Sequence, residues 1–389
     1  MRAHVEPFRE WLDGAGYTPG SARGLLMLMG QLGRWMDSES LDGRLTGGDL
    51  RRFQEFLRAR CAHRVPRLAG TDPLMSYLSS IGVLEQEAPL PVTPVEELID
   101  GFRAWMIGDR GLAAGTVLRY ENTARRFLNE RYVDVGERFI TDLTARHVTG
   151  FLIVECGRVS AGSAKGRVAE LRALLRFLFL HGLTSRSLAV AIPTVAGWHG
   201  TTIPKVISPS QVNELIDSCD RSTATGVRDA AVLLLVARLG LRSAEVVGLT
   251  FDDIDWRVGE IIVRGKARRQ DRLPLPHEVG EALADYLRSS RPVSSSRRVF
   301  LSAKAPIAPL PPARVNDICR RACLRVGIGR VGAHRLRHTL ASDLLRKGAT
   351  IIEVSQVLRH RDLATTAVYA KVDIDTLRRV AQPWPGVGL

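Results

Sequence analysis

Read for the alternation of apolar and polar positions, most of this chain has the period of helices with one buried face. Arg228 to Leu239 reads as an apolar helix, and Ala313 to Val326 returns to helix. In HRLRHTLASDLL, Leu336, Leu340 and Leu344 recur every four residues, so a helix there buries the leucines and sets His334 and Arg337 on a neighbouring shared face. Gly348 ends that helix, Ile351 to Leu358 reads as the next, and Asp362 can cap a third carrying Thr365, Thr366 and Tyr369, with His360 in the turn between. Glu260 to Val263 and Arg272 to Leu275 predict paired strands, and Val299 to Leu301 a third. The expected fold is mainly α, with a small antiparallel sheet in the C-terminal half.

The pattern also divides the chain. From Ala191 to Ser208 the text AIPTVAGWHGTTIPKVIS has glycines, prolines and no period, which marks a linker. Ser208, Pro209 and Gln211 then form a helix start, with serine as cap, proline in the first turn and glutamine reaching back. Upstream there is an echo. Phe8, Arg9 and Trp11 recur as Phe102, Arg103 and Trp105; Leu45 and Thr46 as Leu143 and Thr144; Leu74, Leu78 and Gly82 as Leu174, Leu178 and Gly182. Similar helical units separated by small loop insertions would produce such a drift in offset. The reading is an extra helical domain over residues 1–90, a related bundle over 91–190, a linker over 191–207, and a last domain over 208–389.

Composition narrows the partner. With 389 residues the chain can bury more than one core, and Lys plus Arg exceeds Asp plus Glu by 55 to 41, a net charge of +14. Much of the positive charge is arginine, whose planar fork matches phosphate oxygens, so a polyanion is the expected partner. The helix Ala114 to Glu130 carries Arg119, Arg125 and Arg126, and Lys165, Arg167, Arg172 and Arg176 follow; any one of these can equally be a solvated charge. Five cysteines without a CxxC pair argue against a disulfide framework and for a reducing cytosol. Apolar runs such as AAVLLLVA are too short for a bilayer.

Candidate chemistry gathers near the C-terminal end. His334 and His338 have the spacing of a zinc-protease helix, but Arg335 and Leu336 stand where that motif needs its glutamate and spacer, and flanking cations would repel a metal. Singly, each histidine or tyrosine here reads as an ordinary packed or rim residue. Their order says more: LGLRSAEVVGL with Arg242, then a hairpin tip with Lys266, then HRLRH, then RHRDLATTAVY. This ordered set resembles the tyrosine site-specific recombinases, the phage-integrase and Xer-like family, over about the last 180 residues. One departure is Arg359, where the family usually has a glycine before its histidine.

The resemblance implies a core-binding bundle over 91–190 and a tyrosine-recombinase catalytic domain over 208–389, acting on double-stranded DNA with inverted-repeat core sites. It implies Tyr369 as nucleophile forming a 3′-phosphotyrosyl link, Arg242 and Arg337 as a phosphate clamp, and Lys266 as acid for the leaving 5′ oxygen. His334 would accept or return the tyrosine proton and His360 would donate to the phosphate. Glu245 reads as a positioning or packing carboxylate rather than a base, and Arg264, Arg268 and Arg269 as DNA-backbone contacts. No metal or other cofactor is called for. The assembly implied is a homotetramer on synapsed DNA, with room for an accessory or paralogous recombinase and with the tail after Tyr369 docked on a neighbour, in DNA integration, transposition of a mobile element or chromosome-dimer resolution. A type IB topoisomerase or a catalytically silent DNA-binding protein remain the alternatives, the complete residue set arguing against the last.

Overall fold

The computed structural model describes residues 1–41, 43–60, 71–85, 93–193, 206–265, 269–360 and 366. Helices dominate. In chain order they are α1 (Val5–Gly14), α2 (Pro19–Ser38), α3 (Gly47–Arg60), α4 (Asp72–Ser80), α5 (Pro94–Gly108), α6 (Ala114–Val135), α7 (Ala145–Gly157), α8 (Ala161–Leu180), α9 (Pro209–Asp217), α10 (Ala224–Leu239), α11 (Ser243–Gly248), α12 (His277–Asp285), α13 (Pro312–Val326), α14 (Ala333–Arg346) and α15 (Ile351–Leu358). Strands β1 (Ile254–Asp255), β2 (Glu260–Arg264) and β3 (Gln270–Pro274) form one antiparallel sheet in that order. By contacts the chain divides into two compact units, one of Leu45–Leu50 with Leu84–His199, the other of Met1–Arg44, Arg51–Val83 and Gly200–Leu389.

The smaller unit is built on α5 to α8 around Phe102, Phe127, Phe151, Leu171, Leu174 and Leu178. Its basic helices hold part of their charge in ion pairs. Arg125 pairs with Glu96 at 2.7 Å, Arg126 with Glu155 at 2.9 Å, and Arg119 and Arg167 with Glu170 at 2.7 and 2.8 Å. Glu155 and Glu170 are buried, and a buried carboxylate without a cation is costly, so part of this arginine charge is used inside the bundle.

The echo in the sequence has a counterpart in local geometry. Phe8 stacks on Trp11 with centroids 6.0 Å apart at 26°, and Phe102 on Trp105 at 6.0 Å and 21°. Leu74, Leu78, Leu174 and Leu178 are all fully buried, and Gly82 and Gly182 both end their helices in the left-handed region, at φ 70 and 69. Thr46 and Thr144 each precede a helix and bond the side chain three residues on, Asp49 at 2.8 Å and His147 at 3.3 Å.

In the larger unit, α9 starts as the sequence indicates: Ser208 Oγ accepts from Gln211 N at 3.2 Å, and Gln211 Oε1 accepts from Ser208 N at 3.0 Å. Helix α10 is buried over most of its length, with Leu233, Leu235 and Val236 fully buried and Arg238 reaching the surface in its last turn. Ile261 and Val263 of β2 add the inward face of the sheet. Two expectations are corrected. Val299 to Leu301 does not form a strand of the sheet; it is buried beneath isolated bridges of Arg298 to Thr250 and Leu301 to Pro309, and β1 takes the third place. The buried stripe of α14 is Leu336, Arg337, Ala341 and Leu345, with Leu340 and Leu344 only partly covered. Arg337 therefore turns into the buried side of the helix, while His334 stays exposed.

Helix α10 ends at Gly240, whose φ of 58 is left-handed and whose N–H bonds Leu235 O. A Cβ at this position would lie 2.9 Å from Leu358 Cδ2 and 3.1 Å from Leu340 Cδ2. Gly240→Ala should therefore destabilise the protein by about 2 kcal/mol or more, combining left-handed strain with overpacking, read as a lower urea midpoint at unchanged slope.

Candidate active site

The C-terminal end of α10 gathers the side chains singled out in the sequence. Arg337, buried to 2% exposure on α14, donates from Nη1 to Gly240 O and from Nη2 to Leu358 O, so carbonyls at the ends of two helices fix its guanidinium plane. Just beyond Gly240, Arg242 leads into α11. Its backbone N–H donates to Glu245 Oε2 at 2.8 Å and its Nη1 to Glu245 Oε1 at 2.6 Å, while its side chain stays 46% exposed. The spacing of three between Arg242 and Glu245 makes this possible, since the carboxylate one turn into a helix can reach back to the entering amide.

Arg359 completes the group. It follows α15 in the left-handed region, φ 54 and ψ 45, and its side chain is buried. Nη2 donates to Glu245 Oε2 at 2.9 Å, and Nη1 to Val357 O at 2.9 Å and Leu239 O at 3.5 Å. Glu245 thus lies between two guanidinium groups. Burial pushes its carboxyl up, but the Arg242 amide and the Arg359 and Arg242 guanidinium groups outweigh that and hold it below its ordinary value.

The histidines sit in this positive field. His334 and His338, one turn apart on α14, bring their Nε2 atoms to 2.8 Å with ring centroids 4.1 Å apart. His360 faces Thr366, with Nδ1 2.7 Å from Oγ1, and its backbone N–H bonds Ser355 O at 3.0 Å. Partial burial, then Arg337 and Arg242, lowers His334. Burial, then His334 and Arg337, brings His338 down to about 4, and burial, then Arg337 and Arg242, brings His360 down to about 4. All three are neutral at physiological pH, able to accept a proton or, through one ring nitrogen, to donate a hydrogen bond.

The structure therefore brings together Arg242, His334, Arg337 and His360. Lys266 and Tyr369 lie outside the described residues; Gly265 N bonds Arg269 O at 2.8 Å, next to the ends of β2 and β3. Beside it, Arg264 is held by Asp253 at 2.6 Å and Arg269 by Asp271 at 2.8 Å, pairings that the expectation of backbone contacts did not include; Arg268 is outside the described residues. Sequence reasoning missed the burial of Arg359, the contact of His338 with His334, and Thr366 as partner of His360. The only advance signals were the non-glycine before His360 and the four-residue histidine spacing. Among the described residues no group of His, Cys, Asp and Glu could hold a metal ion.

Comparison with known proteins gives the family and the fold. Residues 205–375 match the model of the phage integrase family. The candidate integrase/recombinase y4rA of Sinorhizobium fredii is 39% identical over 98% of this chain and 94% of its own length, and the tyrosine recombinase XerD of Listeria monocytogenes is 31% identical over 72% of this chain and 95% of its own. Among solved structures, XerH bound to palindromic difH substrate shares the fold with a TM-score of 0.57 at 18% identity, covering 84% of this chain and 93% of that one. A lambda integrase dimer on a core site does so with 0.54 at 16%, covering 75% and 98%. The chain belongs to the phage integrase family, the tyrosine recombinases, enzymes that cut and rejoin DNA strands.

The histidines predict a pH dependence. Their folded values lie below the ordinary histidine value of about 6.5, so in the window between about 6.5 and about 4 the unfolded chain binds the extra protons. Their contribution to stability is complete above that window and is lost as pH falls through it. The urea midpoint should drop between pH 6.5 and 4, and His338→Gln should make the drop shallower; an equally steep drop in the variant would show that His338 is charged in the native protein.

Proposed function

We propose that the protein is a site-specific recombinase that cuts and rejoins double-stranded DNA at inverted-repeat core sites through a 3′-phosphotyrosyl intermediate, without a metal. What carries the reading is the convergence of Arg242, Arg337, His334 and His360 on the end of α10, with Tyr369 nine residues beyond His360 in the family's order. Arg242 and Arg337 bind the non-bridging oxygens of the scissile phosphate, a charge fixed at any working pH. Tyr369 Oη attacks phosphorus and the bond to the 5′ oxygen breaks, with His334 taking the tyrosine proton and Lys266 giving one to the leaving oxygen. A Thr366 hydroxyl donating to His360 Nδ1 would leave the ring proton on Nε2, from where it can be donated to the phosphate. Reversal by another strand's 5′ hydroxyl restores the diester and frees the tyrosine.

The same reading gives the chain three domains, over 1–90, 91–190 and 208–389, and a homotetramer on synapsed DNA in the cytoplasm, the tail after Tyr369 reaching a neighbour. The matched local geometry of Phe8 and Phe102, Gly82 and Gly182 supports residues 1–90 as a second copy of the bundle, which would lengthen the DNA footprint. The names of the relatives favour recombination over simple relaxation.

The test uses a nicked suicide duplex selected from a randomised pool by binding to the full chain. Tyr369→Phe should form no covalent adduct while still binding DNA, because one hydroxyl is lost from a charge-dominated interface. Arg242→Ala should slow adduct formation by about 10²–10³-fold, the scale of losing one preorganised donor. Lys266→Ala should be rescued when the bridging 5′ oxygen is replaced by sulfur, since a thiolate leaves without a proton. Adducts persisting in Tyr369→Phe would overturn the assignment.

A further inference from the structure

Arg359 takes no part in the roles described so far, and its setting is unusual. It is a long cationic side chain on a residue with positive φ, where glycine is the low-strain choice. Its side chain is 3% exposed, so a guanidinium has been taken out of water, and its Nε finds no hydrogen-bond partner. Strain, desolvation and an unsatisfied donor all oppose this arrangement. Against them stands a specific set of bonds: Glu245 Oε2 at 2.9 Å, Val357 O at 2.9 Å, and the α10 end through Gly240 O at 3.4 Å. Among the described residues, Glu245 is otherwise tied to the amide and guanidinium of Arg242, and its side chain is buried beside them.

The consequence runs through the shared carboxylate. Glu245 Oε1 holds Arg242 Nη1, and Oε2 is held from the other side by Arg359. Without Arg359, that oxygen keeps only the Arg242 amide, the carboxylate gains freedom to rotate, and its charge is drawn wholly onto Arg242. With Arg359 in place the carboxylate is pinned by two elements, the end of α15 and the start of α11, and Arg242 extends from a fixed point into solvent. We infer that Arg359 is a positioning residue of the recombinase site, which locks Glu245 and through it sets the guanidinium of Arg242 where the scissile phosphate binds. This inference rests on the reading of Arg242 as a phosphate ligand. It places a cation from α15 in the position where a glycine would leave Glu245 with Arg242 alone, and makes the turn before His360 part of the phosphate site.

The experiment uses the full chain with Arg359→Gly, which suits the left-handed backbone, Arg359→Lys, which keeps the charge without the fork, Glu245→Gln and the Gly–Gln double variant. On the selected suicide duplex, Arg359→Gly should lower the maximal rate of Tyr369 adduct formation by up to about 100-fold, the scale of displacing a reacting group by an ångström, at an unchanged half-saturating DNA concentration. Arg359→Lys should regain part of the rate, and the double variant should be no slower than Glu245→Gln alone. A folded Arg359→Gly protein that cleaves at the wild-type rate, or rate losses that multiply in the double variant, would overturn the inference. Urea unfolding without DNA gives a second arm: the midpoint shift from Arg359→Gly should shrink in the Glu245→Gln background, and equal shifts in both would remove the link. An adduct that maps to a residue other than Tyr369 would sink the reading of the site, while the unfolding arm would still decide the contact between Arg359 and Glu245.

Discussion

The carbonyl oxygen of Gly240 is the point on which the catalytic half of this protein depends. A helix end carries about half a negative elementary charge in its unpaired carbonyls. Here that charge sits at the end of a largely buried helix, and protein donors meet it. Arg337 and Arg359, from α14 and α15, both donate to Gly240 O. Because Gly240 has no side chain, Leu358 and Leu340 close over it, and the ends of α10 and α15 come together. The packing of three helices and the neutralisation of one dipole are thus the same event, which is why so much charge can be concentrated there.

That concentration would be unstable on its own. Arg242, Arg337 and Arg359 repel one another, and the buried carboxylate of Glu245 with the carbonyls of Leu239, Gly240, Val357 and Leu358 offsets the repulsion. What remains is a site with excess positive potential at its open side, where Arg242 is half-exposed. The same potential, added to burial, keeps His334 and His360 unprotonated. A phosphate arriving there would meet arginine as fixed charge and histidine as neutral proton acceptor or donor, so one electrostatic arrangement separates binding from proton transfer without needing different pH ranges for the two.

Much of this was legible in the chain and some was not, for identifiable reasons. Local signals worked where the partner is local: Ser208 and Gln211 cap α9, Gly348 follows the end of α14, and the hairpin strands around Lys266 pair as their pattern indicates. The order of Arg242, His334, Arg337 and His360 was readable because the motif is carried by residue identity. Inference from periodicity failed for Arg337. A pattern that counts arginine as polar turns it outward, whereas its stem packs in the apolar stripe and its head is satisfied by carbonyls 97 and 21 residues away in sequence. Arg359 was illegible in the same way: its left-handed backbone and buried head are stable only because Glu245, 114 residues earlier, waits for it. The short strand 254–255 outcompeted Val299 to Leu301 because it lies beside β2 in the chain and can pair through a tight turn.

The echoing segments show how far an apolar skeleton determines the polar contacts built on it. Arg9 and Arg103 occupy echoing positions beside the stacked aromatic pairs. Arg103 bonds Glu121 at 2.6 Å, a buried carboxylate on the next helix, whereas Arg9 bonds Glu6 at 2.9 Å within its own exposed turn. The first is a buried link whose loss would strand a charge; the second is a surface pair worth about 0–1 kcal/mol. Segments that share the same leucines, aromatics and glycine stops therefore differ in the polar layer that joins helix to helix. The skeleton specifies a bundle, and the placement of carboxylates decides which arginines are held as structure and which stay available to a phosphate.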